Sequence, residues 1–357
     1  MDLKIIHTAD VHFDTPFSGL SETEKAAVRR QDLRTTFSTI ISMAQNADML
    51  FISGDLFDGR TVSRTTLDFL KREFFKIKHV KVFIAAGNHD CFHADSVYAT
   101  YDFGENVHVF GTEPEVVETE SADIYGISFQ TANEFRELLP RFQVKNPAKM
   151  NLLVMHGNLM GEGYNPVQLS DIETCGMDYV ALGHVHAASG LKVRGACFYA
   201  YPGCPEGRGF DETGEKGVLA LTVSKGHVTA EFVPVQQRMY VSTSVDVSKA
   251  ECMEDIAKQL NGALKEPQNM YRFRLTGSSS FPIDTEVLKS GIDAFDVSVI
   301  DETVPAVDLE QLSREFSLKG LFTKFALEDR ANMETEAFEL AFKTGFSILE
   351  KEERNEN

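Results

Sequence analysis

The chain has 357 residues, with 54 Asp and Glu against 35 Lys and Arg and a formal net charge of −19. That length calls for a large domain plus a smaller one, and the acidic balance excludes a protein that grips nucleic acid through net positive charge alone. No apolar run is long enough to span a bilayer, and five cysteines without a C-x-x-C (Cys91, Cys175, Cys197, Cys204, Cys252) exclude a disulfide framework and a zinc ribbon, so a cytoplasmic protein with reduced thiols is expected.

In chain order, Lys4-Ile5-Ile6 reads as a buried strand and runs into Asp10-Val11-His12. Ser21-x-x-Glu24 is a capping box that opens a helix to about Gln45, with Val28, Phe37, Ile40, Ile41 and Ala44 on its inner side. Met49–Ile52 is the next strand and ends in Gly54-Asp55-Leu56-Phe57-Asp58. Leu67, Leu70, Phe74 and Ile77 repeat at helical spacing. Val80–Ile84 leads into Gly87-Asn88-His89-Asp90, Leu152–Met155 into His156-Gly157, and Tyr179–Leu182 into Gly183-His184-Val185-His186. Residues 106–128 and 195–233 alternate in short, Gly-punctuated runs, consistent with a second sheet stacked on the first. Near Pro234 these signatures stop, and a smaller α+β unit follows: strand Met239–Val247, helix Ala250–Lys265, and strands Met270–Thr276 and Asp296–Ile300. Beyond Asp301 an acidic, Pro-containing linker leads to helices at Leu318–Leu327 and Glu334–Glu350. Phe338, Phe342, Phe346 and Leu349 form one stripe of the last helix, which must be buried against its own domain or a partner helix.

Five polar signatures thus stand at five strand ends, where open α/β sheets collect their functional groups. Asp10, His12, Asp55, Asn88, His156, His184 and His186 offer more donors than one structural zinc takes, and no thiolate. Shared between two ions with one carboxylate bridging, they give each metal about four ligands and leave room for water, which reads as a binuclear hydrolytic centre.

The order D-x-H, G-D-x-x-D, G-N-H-D, H, G-H-x-H resembles the calcineurin-like metallophosphoesterase superfamily over residues 1–235. The run His7-Thr8-Ala9-Asp10-Val11-His12-Phe13-Asp14-Thr15-Pro16-Phe17, with Tyr201-Pro202-Gly203, Glu212 and Glu215-Lys216-Gly217-Val218 later, is similar to SbcD-type DNA repair nucleases, above all their YhaO-like branch. The resemblance implies a four-layer α/β/β/α sandwich over residues 1–235, an α+β capping domain over 236–302, and a linker with C-terminal helices over 303–357. It implies two divalent ions, one on Asp10, His12, Asp55 and His186 and the other on Asp55, Asn88, His156 and His184. A donor set of O and N suits Mn²⁺. It implies that His89 faces the scissile phosphate as a charge stabiliser or acid. Asp90 either orients the His89 ring or caps a local turn, and Asp58 stands where archaeal relatives carry His, so a second imidazole is missing here. The implied partners are DNA, an SbcC-type SMC-like ATPase bound by the C-terminal helices, and a second copy of the chain as a homodimer.

The negative charge does not forbid DNA, because distant acids are screened within about 8 Å at physiological salt and bound cations bring positive charge to the phosphate. Arg29-Arg30 with Arg34, Arg60 with Arg64, and Arg194 with Arg208 are the candidate local patches, and weak intrinsic DNA binding is expected. The leading reading is a metal-dependent DNA exonuclease or endonuclease working with an ATPase. A phosphoesterase for a small nucleotide or phosphoprotein, and a structural subunit with a retained metal site, are the alternatives.

Overall fold

The computed structural model describes residues 2–20, 22–159, 161–306 and 309–355, and the chain divides into two compact units, Met1–Tyr240 and Val241–Asn357. In the first unit the apolar runs become strands separated by helices: β1 (Leu3–Thr8), α1 (Thr23–Ala44), β2 (Met49–Ser53), α2 (Arg64–Lys76), β3 (Lys81–Ala85), α3 (Val97–Thr100) and β4 (Val107–Val109). Then follow β5 (Glu115–Glu118), β6 (Ala122–Ile127), β7 (Met150–His156), β8 (Asn158–Leu159), β9 (Pro166–Val167), α4 (Leu169–Thr174), β10 (Tyr179–Gly183), β11 (Lys192–Arg194), β12 (Cys197–Ala200), β13 (Gly217–Ser224) and β14 (His227–Pro234). Two six-stranded sheets result, ordered β14-β13-β1-β2-β3-β4 and β11-β12-β10-β7-β6-β5. β1 to β4 are parallel in the first, and β12, β10, β7 and β6 in the second.

Side-chain alternation along these strands builds the layers. Ile5, Met49, Phe51 and Phe83 point inward to meet Ile124, Leu152, Val154, Tyr179 and Ala181 of the other sheet. Their neighbours Ile6, Leu50, Ile52, Val82 and Ile84 face Leu33, Phe37, Ile40, Leu70 and Phe74 of α1 and α2. On the far side, Tyr125, Ile127, Leu153, Met155, Val180 and Leu182 are covered by Leu138, Leu139, Phe142 and Ile172. Strands buried on both faces read as continuous apolar runs, and the four layers are helix, sheet, sheet, helix.

Three expectations change. Val28 is 40% exposed, because the inner stripe of α1 runs through Ala26, Arg29, Leu33, Phe37, Ile40 and Ala44. α1 starts at Thr23 after Glu22, which makes no side-chain cap bond; the Ser21 of the expected capping box lies outside the described residues. Residues 106–128 and 195–233 do not form a sheet of their own: β4, β13 and β14 extend the first sheet, while β5, β6 and β12 belong to the second.

The second unit carries β15 (Tyr240–Asp246), α5 (Met253–Gly262), β16 (Met270–Thr276), β17 (Ser278–Ser279), α6 (Thr285–Ser290), β18 (Asp296–Asp301) and β19 (Val304–Pro305). β15-β16-β18 form a sheet whose core holds Ile256, Leu260, Phe273, Leu275, Leu288 and Val299. Then come α7 (Leu309–Leu312), α8 (Leu318–Asp329) and α9 (Thr335–Asn355). Phe338, Phe342 and Phe346 of α9 pack on Leu312, Phe322, Ala326 and Leu327. The aromatic stripe is therefore covered within its own unit. Leu318, Leu321 and Phe325 of α8 remain more than half exposed.

Candidate metal centre

The carboxyl ends of β1, β2, β3, β7 and β10 deliver the five signatures to one place, and glycine makes the approach possible. A Cβ on Gly183 would sit 1.8 Å from the Ser53 carbonyl oxygen of the facing sheet. Gly54, at φ +93°, lies against the His156 ring, where a Cβ would come within 2.3 Å of Nδ1. Asp10, His12, Asp55 and His184 have φ of 53°, 54°, 51° and 111°, a sparsely populated region for side-chain-bearing residues that costs on the order of 1–3 kcal/mol each. Main-chain bonds hold the turns in this conformation: the N–H groups of Asp10, His12 and Phe13 donate to the carbonyls of Gly54, Asp55 and Leu56 at 2.9–3.0 Å.

Two donor clusters result. In the first, His12 Nε2 and His186 Nε2 converge to 3.4 Å, with Asp10 Oδ1 3.7 Å from His186 Nε2. In the second, the Asn88 amide oxygen lies 2.9 Å from His156 Nε2 and 3.2 Å from His184 Nδ1. Asp55 Oδ2 stands between them, 3.8 Å from His12 Nε2 and 3.6 Å from His156 Nε2. The other oxygen of Asp55 accepts the His89 backbone N–H at 2.9 Å, so a single oxygen faces both clusters.

The charge state of this pocket suits divalent cations. Burial, and then the nearby Asp55, pushes Asp10 well above the usual carboxylate range. For Asp55 burial acts the same way, but the neighbouring imidazoles of His156, His12 and His89 outweigh it and hold the carboxyl low. Burial lowers His12 to about 4 and His184 to about 4, and lowers His156 as well, so these rings are neutral with lone pairs to give at neutral pH. Two buried carboxylates beside neutral imidazoles form a site short of positive charge, which cations supply.

All seven residues expected from the sequence as candidate ligands lie together here. His89 sits beside them, 39% exposed, with Nδ1 3.2 Å from the Asp58 carbonyl oxygen. Asp90 does not touch the His89 ring. Its carboxylate accepts from the backbone N–H of Gly87 and Phe57 at 2.7 and 3.0 Å and from Tyr98 Oη at 2.6 Å, tying two ligand loops together. Burial, with Asp55 next, pushes Asp90 up to about 7. Asp58 Oδ1 lies 3.1 Å from His12 Nδ1, without the alignment of a good hydrogen bond, and 2.9 Å from Arg208.

Sequence reasoning missed the roles of Arg208 and Glu212. Glu212 Oε1 accepts from His186 Nδ1 at 2.6 Å and from Arg208 at 3.1 Å. Burial disfavours the Glu212 carboxylate, but the His186 bond and Arg208 outweigh it and hold its pKa far below the ordinary value. Of the expected basic patches, Arg29 is fully buried against Asp32 and Glu206, while Arg64 and Arg194 pair with Asp68 and Glu173.

Behind the ligands, His7 is buried between Tyr179 Oη at 2.9 Å and Ser53 Oγ at 3.0 Å, and burial lowers it to about 3. An unfolded His titrates near 6.5. Between those values the unfolded chain takes up a proton that the folded chain refuses, so the contribution of His7 is complete above pH 6.5 and is lost as pH falls towards 3. The stability advantage of the wild type over His7→Gln in urea melts should narrow from pH 7 to pH 4.5. A gap independent of pH would contradict the buried neutral ring.

The family model for calcineurin-like phosphoesterases matches residues 3–188. A Bacillus subtilis (strain 168) protein named uncharacterized metallophosphoesterase YhaO is 32% identical over 271 residues, covering 71% of this chain and 65% of that protein, so the chain spans slightly under two thirds of its length. The DNA double-strand break repair protein Mre11 of Methanopyrus kandleri is 24% identical over 88% of this chain and 76% of its own. The SbcD component of the nuclease SbcCD from Staphylococcus saprophyticus is 23% identical over 76% of this chain and 78% of its own. These relatives agree with the resemblance carried by the signatures.

Proposed function

Because the chain belongs to the calcineurin-like phosphoesterase family, we propose that it is a metal-dependent phosphodiesterase that hydrolyses DNA as an exonuclease or endonuclease. The observation that carries this reading is Asp55 Oδ2 facing two donor clusters at 3.8 and 3.6 Å. Asp10, His12, Asp55 and His186 would hold one ion, and Asp55, Asn88, His156 and His184 the other. When bound, two divalent cations, Mn²⁺ by the absence of soft sulfur donors from this O and N set, supply Lewis-acid activation of water and neutralise charge at phosphorus.

The chain's own residues do the rest. His89 keeps Nδ1 on the Asp58 carbonyl, which directs Nε2 away from that contact and leaves it to donate to a phosphoryl or leaving oxygen. Tyr164 stacks on the His184 ring at 5.0 Å between centroids and is 38% exposed, a surface on which a nucleobase beside the scissile phosphate can stack. The names of the Mre11 and SbcCD relatives support DNA over a small ester.

The test is end-labelled linear DNA incubated with the chain and Mn²⁺, with and without chelator. Shortening that stops with chelator is expected, and His89→Ala should lose about 10²–10⁴ in rate while still binding Mn²⁺. Rapid turnover of a mononucleotide ester with none of DNA would favour the small-phosphoester alternative.

The same reading extends to assembly. The chain works in the cytoplasm as a homodimer, and an SbcC-type ATPase supplies much of the grip on DNA. The exposed Leu318, Leu321 and Phe325 lie one and two turns apart on α8, a face able to seat a partner helix. Leu321→Asp with Phe325→Asp should abolish co-purification of that ATPase, and unchanged recovery would count against this face.

A further inference from the structure

The two donor clusters differ in what stands behind them. The cluster of His12 and His186 is backed by two carboxylates. Asp58 Oδ1 lies 3.1 Å from His12 Nδ1, and Glu212 Oε1 lies 2.6 Å from His186 Nδ1. One guanidinium joins them: Arg208 donates through Nη1 to Asp58 at 2.9 Å and through Nη2 to Glu212 at 3.1 Å. The Arg208 backbone N–H adds a bond to Glu212 Oε2 at 2.8 Å, and Tyr240 Oη donates to the Arg208 carbonyl at 3.0 Å. Lys216 Nζ reaches the His186 carbonyl at 3.1 Å. Nδ1 of His186 is held by the Glu212 hydrogen bond and Nδ1 of His12 lies beside the Asp58 carboxylate without a well-aligned bond, and the two Nε2 atoms face the same point, 3.4 Å apart.

Behind the other cluster no such carboxylate stands among the described residues. His156 Nδ1 meets the Ser53 carbonyl at 2.9 Å, and His184 is covered by the Tyr164 ring. The direct donors do not separate the clusters, because the Asp10 carboxylate groups with His12 and His186 and also with Asp55 and His156; the difference lies in what stands behind the rings. A carboxylate behind a ligating His fixes its tautomer and raises its basicity, and losing one costs about 10–100-fold in metal affinity.

We propose that Asp58, Arg208 and Glu212 form a clamp outside the ligand set that orients His186, sets a carboxylate beside His12 and makes the Asp10, His12 and His186 site the first of the two to fill. This rests on the metal-centre reading and goes beyond it, since it assigns these residues a positioning role and an order of loading.

The clamp explains why Asp, which cannot donate as a second imidazole would, is suited to position 58. It also removes Arg208 from the candidate DNA-binding surface. A guanidinium fits because its planar fork addresses two carboxylates at once, which a point-charge ammonium does not.

The experiment is calorimetric titration of Mn²⁺ alone into the full chain stripped with chelator, paired with anomalous scattering from crystals soaked with one equivalent. Two binding steps are expected, with the first equivalent at Asp10, His12 and His186. Glu212→Gln should weaken the tighter step about 10–100-fold and leave the weaker step in place, which also reports that the variant is folded. Arg208→Lys keeps the charge and loses the fork, so it should weaken the same step. Equal occupancy of both sites at one equivalent, or a Glu212→Gln variant with an unchanged first step, would overturn the clamp while leaving the metal centre standing. A wild-type chain that binds no Mn²⁺ would overturn the metal-centre reading and the clamp with it.

Discussion

Asp55→Asn should cost both cations and, with them, phosphodiester hydrolysis. The Asp55 oxygen that faces His12 and His156 at 3.8 and 3.6 Å is shared by the two clusters, and an amide removes its charge from both at once. The loss of Mn²⁺ affinity should exceed the ~10–100-fold that a ligand's hydrogen-bond partner alone costs, and it should appear at both binding steps. Hydrolysis of a chromogenic phosphodiester by the purified variant should fall to background. The fold should survive, because the amide oxygen can still accept the His89 backbone N–H and because the neutral side chain relieves repulsion on the buried Asp10. A variant that keeps one tight site and substantial activity would show that Asp55 is not the bridge.

Gly183→Ala should damage the protein in the opposite way, through the fold. Its added methyl would lie 1.8 Å from the Ser53 carbonyl oxygen and 2.9 Å from Ala9 Cβ. Ser53 ends β2 and Ala9 directly follows β1 of the facing sheet, and a carbonyl and a methyl offer no flexible side chain that can yield. Overpacking a well-filled interior costs about 1–3 kcal/mol and more where backbone must shift, and this contact belongs at or above the upper end. Thermal melting should fall by several degrees at least, with little soluble protein recovered. The same close approach carries His184 and His186 to Asp10 and Asp55, so any variant that survives should also bind Mn²⁺ weakly. A melting temperature equal to that of the wild type would mean that the sheets do not meet at Gly183.

The convergence of the proposed ligands is legible in the sequence because each of these residues stands at or just past an apolar run that reads as a strand, and strand ends of an α/β sheet share a rim. The loops also carry their own constraint, since glycine precedes Asp55, Asn88 and His184 where another residue or its backbone approaches within contact distance. The helix phase of α1 is obscured for a physical reason. Arg29 occupies an inward position, buried by ion pairs with Asp32 and Glu206 rather than by apolar contact, so the apolar pattern points to Val28 instead. Alternation identifies a strand but not its sheet, which is why β4, β13 and β14 fall in a different layer from the one expected. α6 and α7 span six and four residues, too few for a helical period to show.

The region around the ligands is less legible. Arg208 and Glu212 lie beyond the last histidine, in a loop with no periodicity, and their significance depends on a turn that folds back on His186. Glu212 does sit in the run that carries the narrower resemblance, the one signal that could have flagged it. Asp90 follows His89 in sequence but turns to the amides of Gly87 and Phe57. Adjacency in the chain is a poor guide to which ring a carboxylate serves. The α9 stripe requires a partner surface, and only three dimensions identify that surface as α7 and α8.

The most direct measurement is an anomalous difference map from crystals of the chain soaked in excess Mn²⁺. Two peaks flanking the Asp55 carboxylate are predicted, one among Asp10, His12 and His186 and the other among Asn88, His156 and His184. No peak within reach of Asp55, or manganese bound only elsewhere on the surface, would contradict a binuclear centre in this protein.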